Sequence, residues 1–289
     1  MIVNPGSRRG ASSLDAATRA FARAGVTCTV HATAHPGHAE QLARAHAHGH
    51  DAVFTLGGDG TVMEVLHALQ GSGQPVGVLP AGTGNLLARA LGIPMSVRRA
   101  VAALVAGETT RIDLGRLEDG RVFAIAAGVG VDAAMVQETS ARAKRRFGVL
   151  AYVVTGTRAA LRMEAFALRA TVDGVAHEFR ATAALVANFG TLLGGLIRLG
   201  PDVRENDGML DLCVFSPASV PDALRLGWRL MRHDFRPDRS MHFLRGRTMH
   251  LETSPRRATQ ADGELLPGAT LHVTVAPRAA CVLVPSVAR

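Results

Sequence analysis

The sequence predicts a chain in two parts. Residues 1–108 read as an α/β domain on a parallel sheet with helices on both faces. Residues 109–289 read as a mostly antiparallel β-sandwich whose last strand is free to return to the first domain. Three observations carry this. Strand and helix patterns alternate up to about Gly107, period-two alternation dominates after it, and three glycine-bearing loops sit where a strand hands over to a helix. A length of 289 residues favours two domains.

Met1-Ile2-Val3 is a short strand before an Asn-Pro turn. Ser12 or Ser13 caps a helix carrying Leu14, Ala17 and Phe21 that Gly25 ends. Val26–Val30 reads as the next strand, and a helix over His38–His48 stops at Gly49. Ala52–Leu56 is a strand, and the helix after it shows Val62, Val65, Leu66 and Leu69 on one face. Val76–Leu79 is another strand, followed by a helix with Leu87, Ala90 and Leu91 that Pro94 breaks. Ser96 opens a helix with Val97, Ala100, Val101 and Leu104 on one side. Beyond it, Phe166, Leu168, Ala170 and Val172 alternate with polar or small residues. Asp173-Gly174 turns a hairpin into Val175–Arg180. Leu210, Leu212 and Val214 alternate likewise, as do Leu271, Val273 and Val275, and helical patterns near Val131–Arg146, Gly148–Met163 and Ser219–His233 interrupt them.

Hydrophobic content of 47% suffices for a core, and a net charge of +8 favours an anionic partner. Aromatic content of 4%, without aromatics interleaved among basic residues, excludes a nucleic-acid binder. The one tight basic run is Arg142–Arg146, read as a solvated helix face or a phosphate or membrane contact. The apolar stretch Phe147–Thr157 reads as a helix packed on the sandwich in preference to a lipid-facing lid. Cys28, Cys213 and Cys281 are odd in number and far apart, so they read as buried thiols in a reducing, cytoplasmic compartment. No leader or spanning segment stands out, which implies a soluble or peripheral protein. His46, His48 and His50 do not share a helix face and read as solvated rather than as metal ligands.

The chemistry concentrates in Asn4-Pro5-Gly6-Ser7, Gly57-Gly58-Asp59-Gly60-Thr61 and Pro80-Ala81-Gly82-Thr83-Gly84-Asn85. Glycines let the backbone approach a bulky anion, and the helix start that follows adds unpaired N–H donors and a positive dipole end. All three loops fall at the carboxyl ends of strands, where open α/β sheets bind ligands. An acid in such a loop implies a cation between it and a phosphate, or a hydroxyl about to lose its proton. No Walker A lysine string is present.

These motifs resemble the diacylglycerol kinase catalytic family, which includes bacterial lipid kinases and sphingosine kinases. Pro80–Asn85 continues into Leu86-Leu87-Ala88-Arg89, and Asp262-Gly263-Glu264 matches near the C-terminus. Weaker matches are Gly128–Ala133, with Asp132 a candidate for the lipid head, and Pro201-Asp202 with Asp207–Asp211. The resemblance implies a Rossmann-like N-terminal domain of the NAD kinase/diacylglycerol kinase type, a β-sandwich beyond it, and ATP held between them. It implies Mg²⁺-dependent transfer of the γ-phosphoryl group to a lipid hydroxyl such as that of diacylglycerol, in phospholipid metabolism at an anionic membrane surface, and leaves a homodimer open. By position, the nucleotide contacts are Asn4, Pro5, Gly6, Ser7, Arg8, Thr33, Gly57, Gly58, Asp59, Gly60, Thr61, Val62, Met63 and Thr83. The catalytic acids are Glu264, Asp262 and Asp59, with Glu264 the general base, and a structural Mg²⁺ takes Asp207 with the carbonyls of Arg204 and Met209. Two departures are Met63, where the family often has Asn, and Leu86, where it often has Asp. A soluble-substrate kinase of the NAD kinase type and a non-catalytic nucleotide-binding regulator are the competing readings.

Overall fold

A computed structural model describes residues 1–130, 164–192, 197–236 and 238–286. Asp132, the Arg142–Arg146 run, the Phe147–Thr157 stretch and the two helical patterns between 131 and 163 lie outside the described residues. The chain divides into two compact units, Met1–Leu114 with Ala276–Arg289, and Gly115–Val275.

In the first unit, strands β1 (Ile2–Val3), β2 (His31–Ala32), β3 (Val53–Gly57) and β4 (Pro75–Pro80) pair in parallel in the order β2-β1-β3-β4. The C-terminal part of β18 (Thr270–Val284) adds to β4 in parallel through Cys281 and Val282. Helices α1 (Gly10–Arg23), α2 (His38–His46), α3 (Asp59–Leu69), α4 (Leu86–Ala90) and α5 (Val97–Val105) intervene. Every residue of β3 is buried, as a parallel strand covered on both faces requires. The apolar stripes anticipated on α3 and α5 are the buried ones: Val62, Val65, Leu66 and Leu69, then Val97, Ala100, Val101 and Leu104.

The strand expected at Val26–Val30 forms instead at His31–Ala32. A parallel ladder extends only as far as its partner, and β1 begins at Ile2, which pairs with His31. Val30 is left exposed. Helix α1 starts at Gly10, ahead of Ser12, because the Ser7 carbonyl already accepts the Gly10 N–H.

The second unit is an antiparallel sandwich. One sheet runs β15 (Thr248–Ser254), β8 (Phe166–Val172) and β9 (Val175–Ala181), with the first part of β18 along β15. The other runs β14 (Met241–Gly246), β13 (Leu210–Phe215), β10 (Ala183–Ala187), β7 (Ala126–Val129), β16 (Thr259–Ala261) and β17 (Glu264–Leu266). Alternation sorts the side chains. Phe166, Leu168, Ala170 and Val172 meet Leu210, Leu212, Val214, Met249, Leu271 and Val273 in one core. The opposite face of β10 and β13, with Ala183, Leu185, Cys213 and Phe215, forms a smaller core that Leu226 of α6 (Val220–Met231) covers. Burial pushes the Cys213 thiol pKa far up, so it packs as an apolar group, whereas Cys28 and Cys281, expected to be buried as well, are only partly covered. The ten-residue strand β5 (Glu108–Leu117), which runs from the first unit into the second, and the two-residue strands β6 (Val122–Phe123), β11 (Thr191–Leu192) and β12 (Ile197–Arg198) complete the described elements. Among the described residues no helix is long and apolar enough to cross a membrane.

Candidate functional site

Adjacent parallel strands bring their carboxyl-end loops together. The Asn4 N–H donates to the Leu56 carbonyl, Thr33 N–H to Val3, Ala81 N–H to Gly57, and Arg9 N–H to Ala81, at 2.8–3.0 Å. Asn4 organises its loop from both ends of its amide: Oδ1 accepts the Gly6 N–H at 3.0 Å, and Nδ2 donates to the buried Thr61 hydroxyl at 3.1 Å. Two glycines are required by close approach. A Cβ on Gly82 would lie 2.5 Å from the Gly58 Cα, and one on Gly57 would lie 2.8 Å from the Thr61 Cβ.

The loops enclose an open cavity of about 400 Å³, lined by Asn4, Pro5, Gly6, Thr33, Gly60 and Thr61 among others. All six are nucleotide contacts that the resemblance implies. Four more lining residues, Ala34, His35, Pro36 and Glu64, belong to none of the sequence motifs. The Glu64 carboxylate accepts the Gly37 and Ala39 N–H groups at 2.9 Å each and so closes the N-terminus of α2. Its signal is position alone: Glu64 lies one turn after Thr61. His35 lies on the loop after β2, the strand beside β1, and stacks on His38 at 4.8 Å. Arg8 is solvent-exposed, Val62 is in the core, Met63 is half-buried, and Thr83 is exposed at the tip of its loop.

Asp59 turns to the loop after β4. Its Oδ1 accepts the Leu86 N–H at 2.5 Å, and Gly84 has no room for a Cβ because Asp59 Oδ2 would lie 2.7 Å from it. Asn85, buried and left-handed at φ 49°, closes the same loop by bonding both polar groups of Gly82. Burial pushes the Asp59 pKa up from the usual carboxylate range, against the pull of the Leu86, Asn85 and Leu87 amides. A carboxylate with a raised folded pKa contributes stability that is present below its unfolded pKa. That contribution is lost as pH rises through the folded value, so charged Asp59 is a net cost at neutral pH. Asp59→Asn is therefore expected to raise Tm at pH 7–8 and to lose that advantage near pH 4, as measured by thermal melts across pH.

In the second unit, Asp262 and Gly263 form the two-residue turn between β16 and β17, both left-handed at φ 47° and 87°, with Ala261 paired to Glu264. The Asp262 carboxylate accepts the N–H groups of Ala124, Ile125 and Ala126 at 2.7, 2.9 and 3.0 Å. Its own N–H donates to the Ala126 carbonyl. Asp262 thus fastens the start of β7 to the turn. Glu264, two residues on, is solvent-exposed on the edge strand β17.

The structural Mg²⁺ implied at Arg204, Asp207 and Met209 does not fit the residues as they fold. Asp207 Oδ1 accepts the Met209 N–H at 3.1 Å, and Oδ2 receives the Arg245 guanidinium. The β13–β14 register sets Arg245 opposite Asp211, whose pKa is pushed up to about 6 by burial and then by the charge of Asp202. A cation on Asp207 would have to displace Arg245. No cluster of three or more metal-ligating side chains occurs among the described residues.

The diacylglycerol kinase catalytic domain model matches residues 1–117, and the model described as "YegS C-terminal NAD kinase beta sandwich-like domain" matches 125–284. A diacylglycerol kinase of Mycobacterium tuberculosis is 32% identical over 251 residues, 84% of this chain and 80% of that one. One of Bacillus subtilis is 29% identical over 277 residues, covering 93% and 91%. The match to a Synechocystis protein spans only 55% of that protein's length. A crystal structure of a diacylglycerol kinase from Bacillus anthracis shares the fold, with a TM-score of 0.74 at 20% identity over 98% of this chain and 95% of that one. With both halves matched in order and the loops gathered at the strand ends, the chain belongs to the diacylglycerol kinase catalytic-domain family.

Proposed function

We propose that the protein transfers the γ-phosphoryl group of ATP to the primary hydroxyl of a lipid alcohol, diacylglycerol or a close analogue. The observation that carries this is the cavity whose walls are the loops after β1, β2 and β3, in a chain of this family. Phosphoryl transfer needs positioning and charge neutralisation more than covalent help. The main chain of Asn4–Arg8 and Gly57–Met63 would hold the phosphates, with Thr83 beside them. Asp59 and Asn85 would keep the third loop in place against Gly58. A magnesium ion carried in with ATP would supply charge neutralisation at the phosphates. Glu264 takes the hydroxyl proton as the new O–P bond forms and the bond to ADP breaks. Asp262 keeps the turn that presents Glu264.

The test is transfer from γ-labelled ATP to lipids dispersed in detergent, run over a panel of diacylglycerol, phosphatidylglycerol, sphingoid base and ceramide. Label on one lipid class, and none on NAD, is the expected result. Labelled NAD without any labelled lipid, or nucleotide binding without turnover, would overturn the proposal.

A further inference from the structure

Helix α6 presents two unlike faces. Leu226 is buried in the smaller core of the sandwich unit, with Leu230 against it. On the outer side Pro221, Leu224, Trp228 and Arg232 follow one another at spacings of three, four and four, so they form one stripe. Leu224 is 45% exposed and Trp228 57% exposed, unusual for the largest apolar side chain of the molecule. The Arg232 guanidinium lies over the indole at 5.8 Å from its centre.

The charge around this stripe is one-sided. Among the described residues of 218–239, every exposed ionisable side chain is basic: Arg225, Arg232, His233, Arg236 and Arg239. The three acids of the segment, Asp222, Asp234 and Asp238, are drawn inward. Asp222 and Asp238 bind Arg225 at 2.6 and 2.7 Å, Asp234 binds Arg236 at 2.7 Å, and Asp238 also binds Arg229. Five arginines stand against three aspartates. The network draws the three aspartates inward and fixes Arg225, Arg229 and Arg236 around them; Arg232 and Arg239 stand outside it on the exposed side.

From this geometry we propose that the α6 face, centred on Trp228 and Leu224, docks on an anionic phospholipid bilayer. An indole with a polar edge, flanked by a leucine and arginines, suits the headgroup boundary of a bilayer. Basic side chains next to it gain from the negative surface potential of anionic lipid. Two exposed apolar side chains offer far less than the roughly 800 Å² per partner that a stable dimer buries, which argues against a second copy as the occupant. The proposal deepens the lipid-kinase reading and rests on it for its purpose. Its test needs neither ATP nor turnover.

Trp228 is the only tryptophan, so its fluorescence reports this face alone. The full chain is titrated with vesicles of phosphatidylcholine containing phosphatidylglycerol, and with vesicles of pure phosphatidylcholine. A blue shift with the anionic vesicles, quenching by bromine-labelled acyl chains, and little change with the neutral ones are expected. The Leu224→Ser, Trp228→Ser double variant should sediment with anionic vesicles about tenfold or more weakly. It should keep its activity on detergent-dispersed lipid. Co-sedimentation without any change in Trp228 emission, or undiminished sedimentation of the double variant, would overturn the assignment. So would a failure of the protein to sediment with either vesicle, or a blue emission without lipid that grows with protein concentration. Vesicle binding in a chain that labels no lipid would sink the kinase reading and leave the docking face standing.

Discussion

Glu264→Gln is expected to lower lipid phosphorylation by about 10²–10⁴-fold while Tm stays unchanged. The separation of the two effects follows from position. Glu264 opens the edge strand β17 and is solvent-exposed. Glutamine keeps the size and polarity there and removes only the ability to take a proton. The loss should fall on kcat, because a base acts in the transition state and adds little to ground-state binding. Steady-state kinetics on a detergent-dispersed lipid, alongside a thermal melt, measure both. Retained kcat in a folded variant would remove Glu264 from the reaction.

Asp262→Ala is expected to behave in the opposite way, with its first effect on the fold. Three N–H groups, of Ala124, Ile125 and Ala126, lose their acceptor at once. Leaving partly buried donors unmet costs about 1–3 kcal/mol, and hydrogen bonds to a charged acceptor sit at the upper end. Alanine at the left-handed Asp262 position adds roughly 1 kcal/mol of backbone strain. A loss of about 4 kcal/mol in all corresponds to a Tm lowered by about 8–16 °C for a domain of this size. Asp262→Asn keeps an acceptor oxygen and tolerates the left-handed backbone, so it should recover about half of the loss. Activity should track the folded fraction in both variants. An Asp262→Ala protein that melts like the wild type yet turns over nothing would mean that the carboxylate works on the substrate instead.

Much of this was legible along the chain. The alternation of Leu210, Leu212 and Val214 and of Phe166 through Val172 fixed which side chains face the main core, because a strand allows only two faces. The apolar stripes of α3 and α5 were readable for the equivalent helical reason. The strand at His31–Ala32 is not legible along the chain, because its position depends on β1 and a pairing partner leaves no local mark. The role of Glu64 is hidden for a similar reason. An acid inside an amphipathic helix looks solvated until the fold shows that it closes the N-terminus of α2 from 25 residues away.

The residue types around the cavity were determined by sequence alone: glycines where backbones touch, a threonine at the helix start, an asparagine after the first strand. What those types do was decided in three dimensions. Asp59 looked like a ligand for a cation, and the fold turns it to the Leu86 amide. Asp262 looked like a partner in catalysis, and the fold places three amides on it. Asp207 looked like a metal ligand, and the β13–β14 register brings Arg245 to it. A carboxylate binds whatever positive group the chain brings within about 3 Å. Sequence spacing does not encode that distance when the partner lies on another strand or loop.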